Sequence, residues 1–179
     1  MGSVNISEFE KIVAQFGNDV LRYAYLYLGD RYLAEDVSQQ VFLKAYQNMS
    51  GFRGDASIKT WLYRITINTC KNVCKSRAYR QRREEAPLEA LQEVSDPACE
   101  PEDLGLWQEV LALPENYRDV VILKYYKGYD SAEIARILGV SQASVRTRLS
   151  RAMAKLRGIL EEGREKHEQA ASTQFVRGR

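Results

Sequence analysis

Along the first eighty residues, apolar positions recur at three- and four-residue steps and never settle into the alternation of a half-buried strand. Phe9, Ile12, Val13, Phe16 and Val20 trace one face of a helix that continues through Leu21, Ala24, Tyr25 and Leu28. Gly29 supplies a stop, and Asp30 a cap for a second helix over residues 31–49, where Leu33, Val37, Val41, Phe42, Ala45 and Tyr46 repeat the helical step. Within residues 50–57, Gly51, Gly54 and Asp55 break the pattern, so this stretch reads as a loop. The period resumes at Ile58 and runs through Trp61, Leu62, Ile65, Thr69 and Val73 into a basic run containing Lys71, Lys75, Arg77, Arg80, Arg82 and Arg83. Residues 84–103 hold Pro87, Pro97 and Pro101, sparse apolar side chains and no Lys or Arg, the composition of a flexible linker.

Beyond the linker, residues 104–113 predict one helix. Pro114 opens another, which carries Val120, Val121, Leu123 and Tyr126 and ends near Gly128. Ser131 is the expected N-cap of a helix over residues 132–138, Gly139 its left-handed end, and Ser141 the cap of a helix beginning at Gln142. Two helices joined by a tight glycine-containing turn, the second strongly basic, make a helix-turn-helix. In that second helix Val145, Leu149, Ala152, Met153 and Leu156 form the apolar stripe, leaving Arg146, Thr147, Ser150, Arg151 and Ala154 to project elsewhere. Ala143 and Ser144 are small enough to let the helix start approach a phosphate, and Arg146 and Arg151 can bond guanine edges or phosphates bidentately. Arg148, Lys155 and Arg157 suit backbone contacts, which give affinity without reading sequence. An exposed basic helix that binds nothing is the plain alternative, and the coincidence of turn chemistry with a basic face weighs against it.

Charge separates the two halves. The formal net charge is only +2, yet the blocks run −2 over residues 1–50, +8 over 51–83, −8 over 84–103, −1 over 104–139 and +5 over 140–179. Two basic blocks flanking an acidic one suggest two anionic contacts, nucleic acid foremost, joined by a segment repelled from the same surface. Charge alone leaves a merely solvated basic face open. The cysteines, Cys70, Cys74 and Cys99, are too few and too irregular for a disulfide framework, no secretory leader opens the chain, and no apolar run approaches the roughly 18 residues of a membrane span. The expectation is a cytoplasmic protein without membrane insertion. Cys70 and Cys74 share a helix face, but the one histidine, His167, is remote, so no metal and no cofactor is expected. No nucleophile-base pair or phosphate-cradling loop is visible, which argues against an enzyme.

Two constellations carry a specific resemblance. Residues 113–118 (Leu-Pro-Glu-Asn-Tyr-Arg), 133–141 (Glu-Ile-Ala-Arg-Ile-Leu-Gly-Val-Ser) and 144–152 (Ser-Val-Arg-Thr-Arg-Leu-Ser-Arg-Ala) resemble the fourth conserved region of bacterial RNA polymerase sigma factors. Departures at Asp130-Ser131 and Ala143-Ser144, where that family commonly has Ser-Tyr and Gly-Thr, are small but bear on phosphate contacts. Residues 34–46 (Ala-Glu-Asp-Val-Ser-Gln-Gln-Val-Phe-Leu-Lys-Ala-Tyr), then Phe52-Arg53 and residues 60–65 (Thr-Trp-Leu-Tyr-Arg-Ile), resemble the second region. The chain is thereby identified as a member of the extracytoplasmic-function (ECF) subfamily of the sigma-70 family.

The resemblance implies an all-α fold of two small helical domains joined by a flexible linker. These are a region 2 bundle over residues 5–83 and a region 4 helix-turn-helix over 104–162; the acidic linker over 84–103 and a disordered tail over 163–179 are read from the sequence itself and match nothing diagnostic of the family. It implies no cofactor and three partners: core RNA polymerase (clamp helices of its largest subunit, flap of the second-largest), promoter DNA and an anti-sigma factor. Val37, Val41 and Tyr46 are expected in the core, with Asp36, Gln39, Gln40 and Phe42 turned to the polymerase. The minus-35 element is assigned to Ser144, Arg146, Thr147, Arg148, Ser150, Arg151 and Lys155. A flipped minus-10 base falls to the loop Phe52, Arg53, Gly54, Asp55 and Ala56 with Asn68, while Trp61, Arg64, Lys71 and Lys75 offer stacking and cationic groups to the melted strand. Trp61 by itself more often marks a core. A regulator that binds DNA alone through its helix-turn-helix is the rival reading, and a nucleic-acid-processing enzyme a weaker one.

Overall fold

The computed structural model describes residues 6–52, 54–76, 79 and 104–177, with side chains placed for all of these except residues 104 and 162–177. Among the described residues every regular element is helical. The first half comprises α1 (Ile6–Leu28), α2 (Arg31–Asn48), a 3₁₀ turn (Met49–Gly51) and α3 (Ile58–Lys75). The second comprises α4 (Leu104–Ala112), α5 (Glu115–Val121) with a π-helical continuation (Ile122–Tyr126), α6 (Ser131–Leu138) and α7 (Gln142–Arg177).

Local signals explain most boundaries. Gly29 adopts φ +73°, which reverses the chain after α1. Asp30 then caps α2 by accepting a bond from the Leu33 N–H at 3.0 Å. Ser57 does the same for α3 through Thr60. At α6 the cap is Asp130 rather than the expected Ser131: its carboxylate accepts from the Glu133 N–H, while Glu133 accepts from the Asp130 N–H. A residue with an acidic partner three positions on satisfies two helix-end donors at once, which Ser131 cannot. Gly139 ends α6 at φ +66°, and Ser141 accepts from the Ser144 N–H at the start of α7. The backbone of α7 continues to Arg177, through the residues expected to form a disordered tail; helix formers dominate there and proline is absent. The expected linker, residues 84–103, lies outside the described residues.

In the first half, α1, α2 and α3 pack on one another around Val20, Tyr23, Ala34, Val37, Val41, Ala45, Leu62 and Ile67. In the second, Val145, Ala152 and Leu156 of α7 are buried and Leu149 and Met153 lie against the same core, as their spacing predicted. Tyr46 departs from its expected burial: it is 40% exposed and meets Phe9 edge-on at 5.1 Å. Phe42, expected on the surface, is half-buried with its edge toward Phe9 at 6.4 Å. Phe9 from α1 covers this margin of α2, drawing Phe42 inward.

The two halves are in contact. Trp107 of α4 stacks on Tyr25 of α1 at 5.4 Å and its indole N–H donates to the Leu26 carbonyl at 3.2 Å. Arg118, buried in α5, donates to the carbonyls of Leu111 and Leu113 within its own half and to Tyr27 across the junction. Its guanidinium also lies 5.0 Å from the Tyr27 ring centre. One side chain therefore closes the α4–α5 turn and ties it to the end of α1.

Candidate nucleic-acid interface

Among the described residues, three surfaces hold the assigned positions. On α7, Arg146, Thr147, Ser150, Arg151 and Lys155 are all exposed and Arg148 is half-buried, so the basic side of the helix faces solvent opposite its buried stripe. Thr147 and Ser144 are less free than residue type suggests. The Thr147 hydroxyl donates to the Ala143 carbonyl at 3.0 Å, and the Ser144 hydroxyl lies 2.9 Å from that of Ser141 within the cap. The unsatisfied amides of the first turn and the arginines are the groups left for phosphate and base edges.

The second surface is an open cleft of about 450 Å³ between the end of α2 and the outer side of α3, lined by Lys44, Asn48, Gly51, Trp61, Ile65, Asn68, Thr69 and Asn72. Asn68 and Trp61 line the cleft, but Phe52, Gly54, Asp55 and Ala56 do not, and Arg53 lies outside the described residues. Phe52 instead packs on Trp61 at 5.1 Å, fixing one wall. Sequence reasoning missed Lys44, Asn48 and Asn72. The signal available was the four-residue step from Lys44 to Asn48 and from Asn68 to Asn72, which sets each pair on one helix side. Lys44 donates to the Thr69 hydroxyl at 3.1 Å, joining the two helices at the cleft. Amides, a cation and an indole around an open volume suit an unstacked base, which needs edge bonds and a stacking face.

Farther along α3, Arg64, Asn68, Lys71 and Lys75 form a stripe at steps of four, three and four. Arg64 donates to the Arg136 carbonyl of α6 at 2.7 Å, and Lys71 pairs with the Asp119 carboxylate at 2.5 Å. Burial pushes the Asp119 carboxyl above its ordinary range, with Lys71 pulling the other way. Burial likewise raises the Cys70 and Cys74 thiols, the opposite of what a metal ligand or reactive cysteine needs. Among the described residues no group of three or more His, Cys, Asp or Glu could hold a metal ion, and no helix is long and apolar enough to cross a membrane.

The third surface is the outer side of α2. Asp36, Gln39 and Gln40 are exposed, as expected. Tyr32 (65% exposed) and Leu43 (58%) join them, with Tyr46, at helical steps to make a stripe 32-36-39-43-46 of mixed polar and apolar character. Leu43 takes the apolar place assigned to Phe42.

Comparison with known proteins places these surfaces in a family. Residues 12–83 match the family described as Sigma-70 region 2, and residues 104–156 match Sigma-70, region 4. The chain is 33% identical to the ECF RNA polymerase sigma factor SigW of Bacillus subtilis over 83% of this chain and 87% of that protein. The chain belongs to the ECF sigma factors of the sigma-70 family. It is also 33% identical to the probable RNA polymerase sigma factor RfaY of Xanthomonas campestris over 85% of its own length, and spans 40% of that protein. Its structure is similar to that of CnrH, solved in complex with the cytosolic domain of CnrY, with a TM-score of 0.66 at 25% identity, covering 89% of this chain and 92% of CnrH. In this sigma factor the cleft and the α2 stripe fall within region 2, and the exposed basic side of α7 begins within region 4.

Proposed function

We propose that this sigma factor binds core RNA polymerase through the outer stripe of α2 and directs it to promoters whose two elements are read by its two halves. Residues 5–83 form the polymerase-binding and strand-opening unit, and residues 104–162 the duplex-reading unit. In this reading α7 lies in the major groove of the upstream element, with Arg146 and Arg151 on bases and Lys155 on phosphate. The α2–α3 cleft takes a base of the downstream element after local melting, with Asn68, Asn48 and Lys44 offering edge contacts and Trp61 a stacking face. The chemistry of RNA synthesis stays with the polymerase.

One observation carries the proposal: a duplex-sized basic helix and a base-sized amide-lined cleft occur in the same chain as an exposed α2 stripe that neither needs. A regulator acting alone would need the helix only. Control by an anti-sigma factor is part of the proposal, supported by the likeness to CnrH, which was solved with a protein partner. The test is run-off transcription with core polymerase on a genomic promoter library. Specific transcripts that depend on this chain are expected, whereas duplex binding without any gain in initiation would sink the sigma reading in favour of the lone regulator.

A further inference from the structure

Two ammonium groups converge on one carboxylate where α1, the start of α3 and the end of the π-helical turn meet. Lys127 Nζ lies 3.0 Å from Asp19 Oδ1, and Lys59 Nζ lies 3.9 Å from Asp19 Oδ2. A third cation, Arg22, stands three residues on from Asp19 along α1, exposed and without a salt bridge among the described residues. The pairing is lopsided in burial: the Lys127 side chain is 7% exposed, whereas that of Asp19 is 42% exposed and shared with water. Burial therefore lowers the pKa of Lys127; Asp19 opposes the shift, while the charges of Arg22 and Lys59 add to it. Glu133, another carboxylate felt by Lys59, already accepts the Asp130 N–H in the cap of α6. Aromatic rings hold the ammonium groups in place. Lys59 Nζ lies 5.3 Å from the Tyr129 ring centre and Lys127 Nζ 5.9 Å from that of Tyr63, and the two rings meet edge-on at 5.6 Å. Lys59 is also the second residue of α3, whose first-turn amides and dipole favour an anion.

We propose that Lys59, Lys127 and Arg22 form a binding site for the terminal phosphates of a free polyphosphate or nucleotide. None of the three belongs to the basic side of α7, the α2–α3 cleft or the α3 stripe, so the site stands apart from promoter reading. Three donors arriving from separate elements suit the several acceptor oxygens of a phosphate better than the two of a carboxylate. Asp19 sets the charge requirement. An entering anion shares the two ammonium groups with that carboxylate and is repelled by it, so a singly charged ion gains little. A terminal phosphate carries about two negative charges, whereas a nucleic-acid backbone phosphate carries one, and the site favours the former.

The test uses the full chain, free of polymerase, and follows acetylation of Lys59 by an N-hydroxysuccinimide ester at constant ionic strength, with exposed Lys11 of α1 as internal reference. Inorganic tripolyphosphate is expected to slow acetylation of Lys59 saturably and to leave Lys11 as it was. Arg22→Gln should raise the tripolyphosphate concentration for half protection by about tenfold, the worth of one charge-assisted contact. Asp19→Asn removes the competing charge and should lower that concentration severalfold, whereas Glu10→Gln, an equal change of charge on exposed α1 surface, should leave it in place. Arg22 is exposed, so its variant keeps the test valid if circular dichroism shows that Asp19→Asn disturbs the packing around Lys127. Equal protection of Lys59 and Lys11 would overturn the site. So would an unchanged half-point in Arg22→Gln or in a folded Asp19→Asn, or a shift in Glu10→Gln as large as that in Asp19→Asn. A short mixed-sequence DNA duplex forms the second arm. Protection by the duplex and not by tripolyphosphate would overturn the proposal in favour of a backbone contact; protection by tripolyphosphate supports it whether or not the duplex protects as well.

Discussion

Replacing Arg118 tests whether one side chain organises both the region 4 turn and its junction with α1. Arg118→Met keeps most of the volume but leaves the carbonyls of Leu111, Leu113 and Tyr27 without this donor, in a place where the arginine itself is only 6% exposed and water has little access. A stranded buried acceptor costs about 1–3 kcal/mol. Three of them, less the desolvation that a neutral side chain avoids, give a net loss of about 3–5 kcal/mol, the range for breaking a buried charged cluster. Against the ~5–15 kcal/mol of an ordinary domain this is about a fifth or more of the total. Arg118→Lys separates charge from geometry: an ammonium keeps the charge but cannot present the planar fork that reaches three carbonyls, so about half the loss should remain. The assay is urea unfolding followed by circular dichroism and tryptophan fluorescence, the second reporting on Trp107 beside Tyr25. A change within about 0.5 kcal/mol for Arg118→Met, the range of an ordinary surface substitution, would refute the reasoning, and a lysine variant equal to wild type would show that charge alone matters.

Three further outcomes are expected. Because burial holds the Asp119 carboxyl above its ordinary value of 3.8, the folded chain takes up that proton at higher pH than the unfolded one. The resulting stabilisation is fully present below the ordinary value and is lost as pH rises through the raised one, so Asp119→Asn should flatten the fall of the urea midpoint as pH rises above that ordinary value. Arg146→Ala and Arg151→Ala should each cost about 1–3 kcal/mol and relax preference at particular upstream bases, while Lys155→Ala should weaken all sequences about equally, as mobility-shift titrations against substituted duplexes would reveal. Leu43→Asp and Asp36→Arg should each weaken capture by immobilised core polymerase at least about tenfold with an unchanged dichroism spectrum, given that truncating or reversing a central interface residue costs upwards of 1 kcal/mol; equal capture would move the interface off α2.

What could be read from the sequence was what is local. The Gly29-Asp30 junction, the Gly139 end of α6 and the Ser141 start of α7 follow from conformational freedom and short side-chain caps, each decided within a few residues. The same economy limited the reading at α6, where Asp130 and Ser131 are both good caps and only the reciprocal bond with Glu133 chooses between them. Phe42 and Tyr46 sit at the margin of the α2 stripe, where helical period cannot say which turns inward; Phe9, thirty-odd residues away, decides.

The contact between halves left a partial trace. Residues 23–28 of α1 are buried on every side, and an all-round apolar helix end is the mark of an element covered by more than one neighbour. Yet the sequence could not say what covers it, because α4 and α5 return only after the acidic segment, and they bond to backbone carbonyls that every residue possesses. The buried charges were still less legible. Asp119, Arg118 and Lys127 read as solvent-facing by residue type, and each is buried only because a partner from the other half meets it: Lys71, the Tyr27 carbonyl and Asp19. Charge placed there is poor glue, since its desolvation offsets much of the attraction. It does confer register, because any sliding or rotation of one half on the other would leave Asp119 or Lys127 buried without its counter-ion. The apolar contacts of Trp107 with Tyr25 and of Leu111 with Gly29 supply the adhesion of this junction, and the buried charges restrict it to one register.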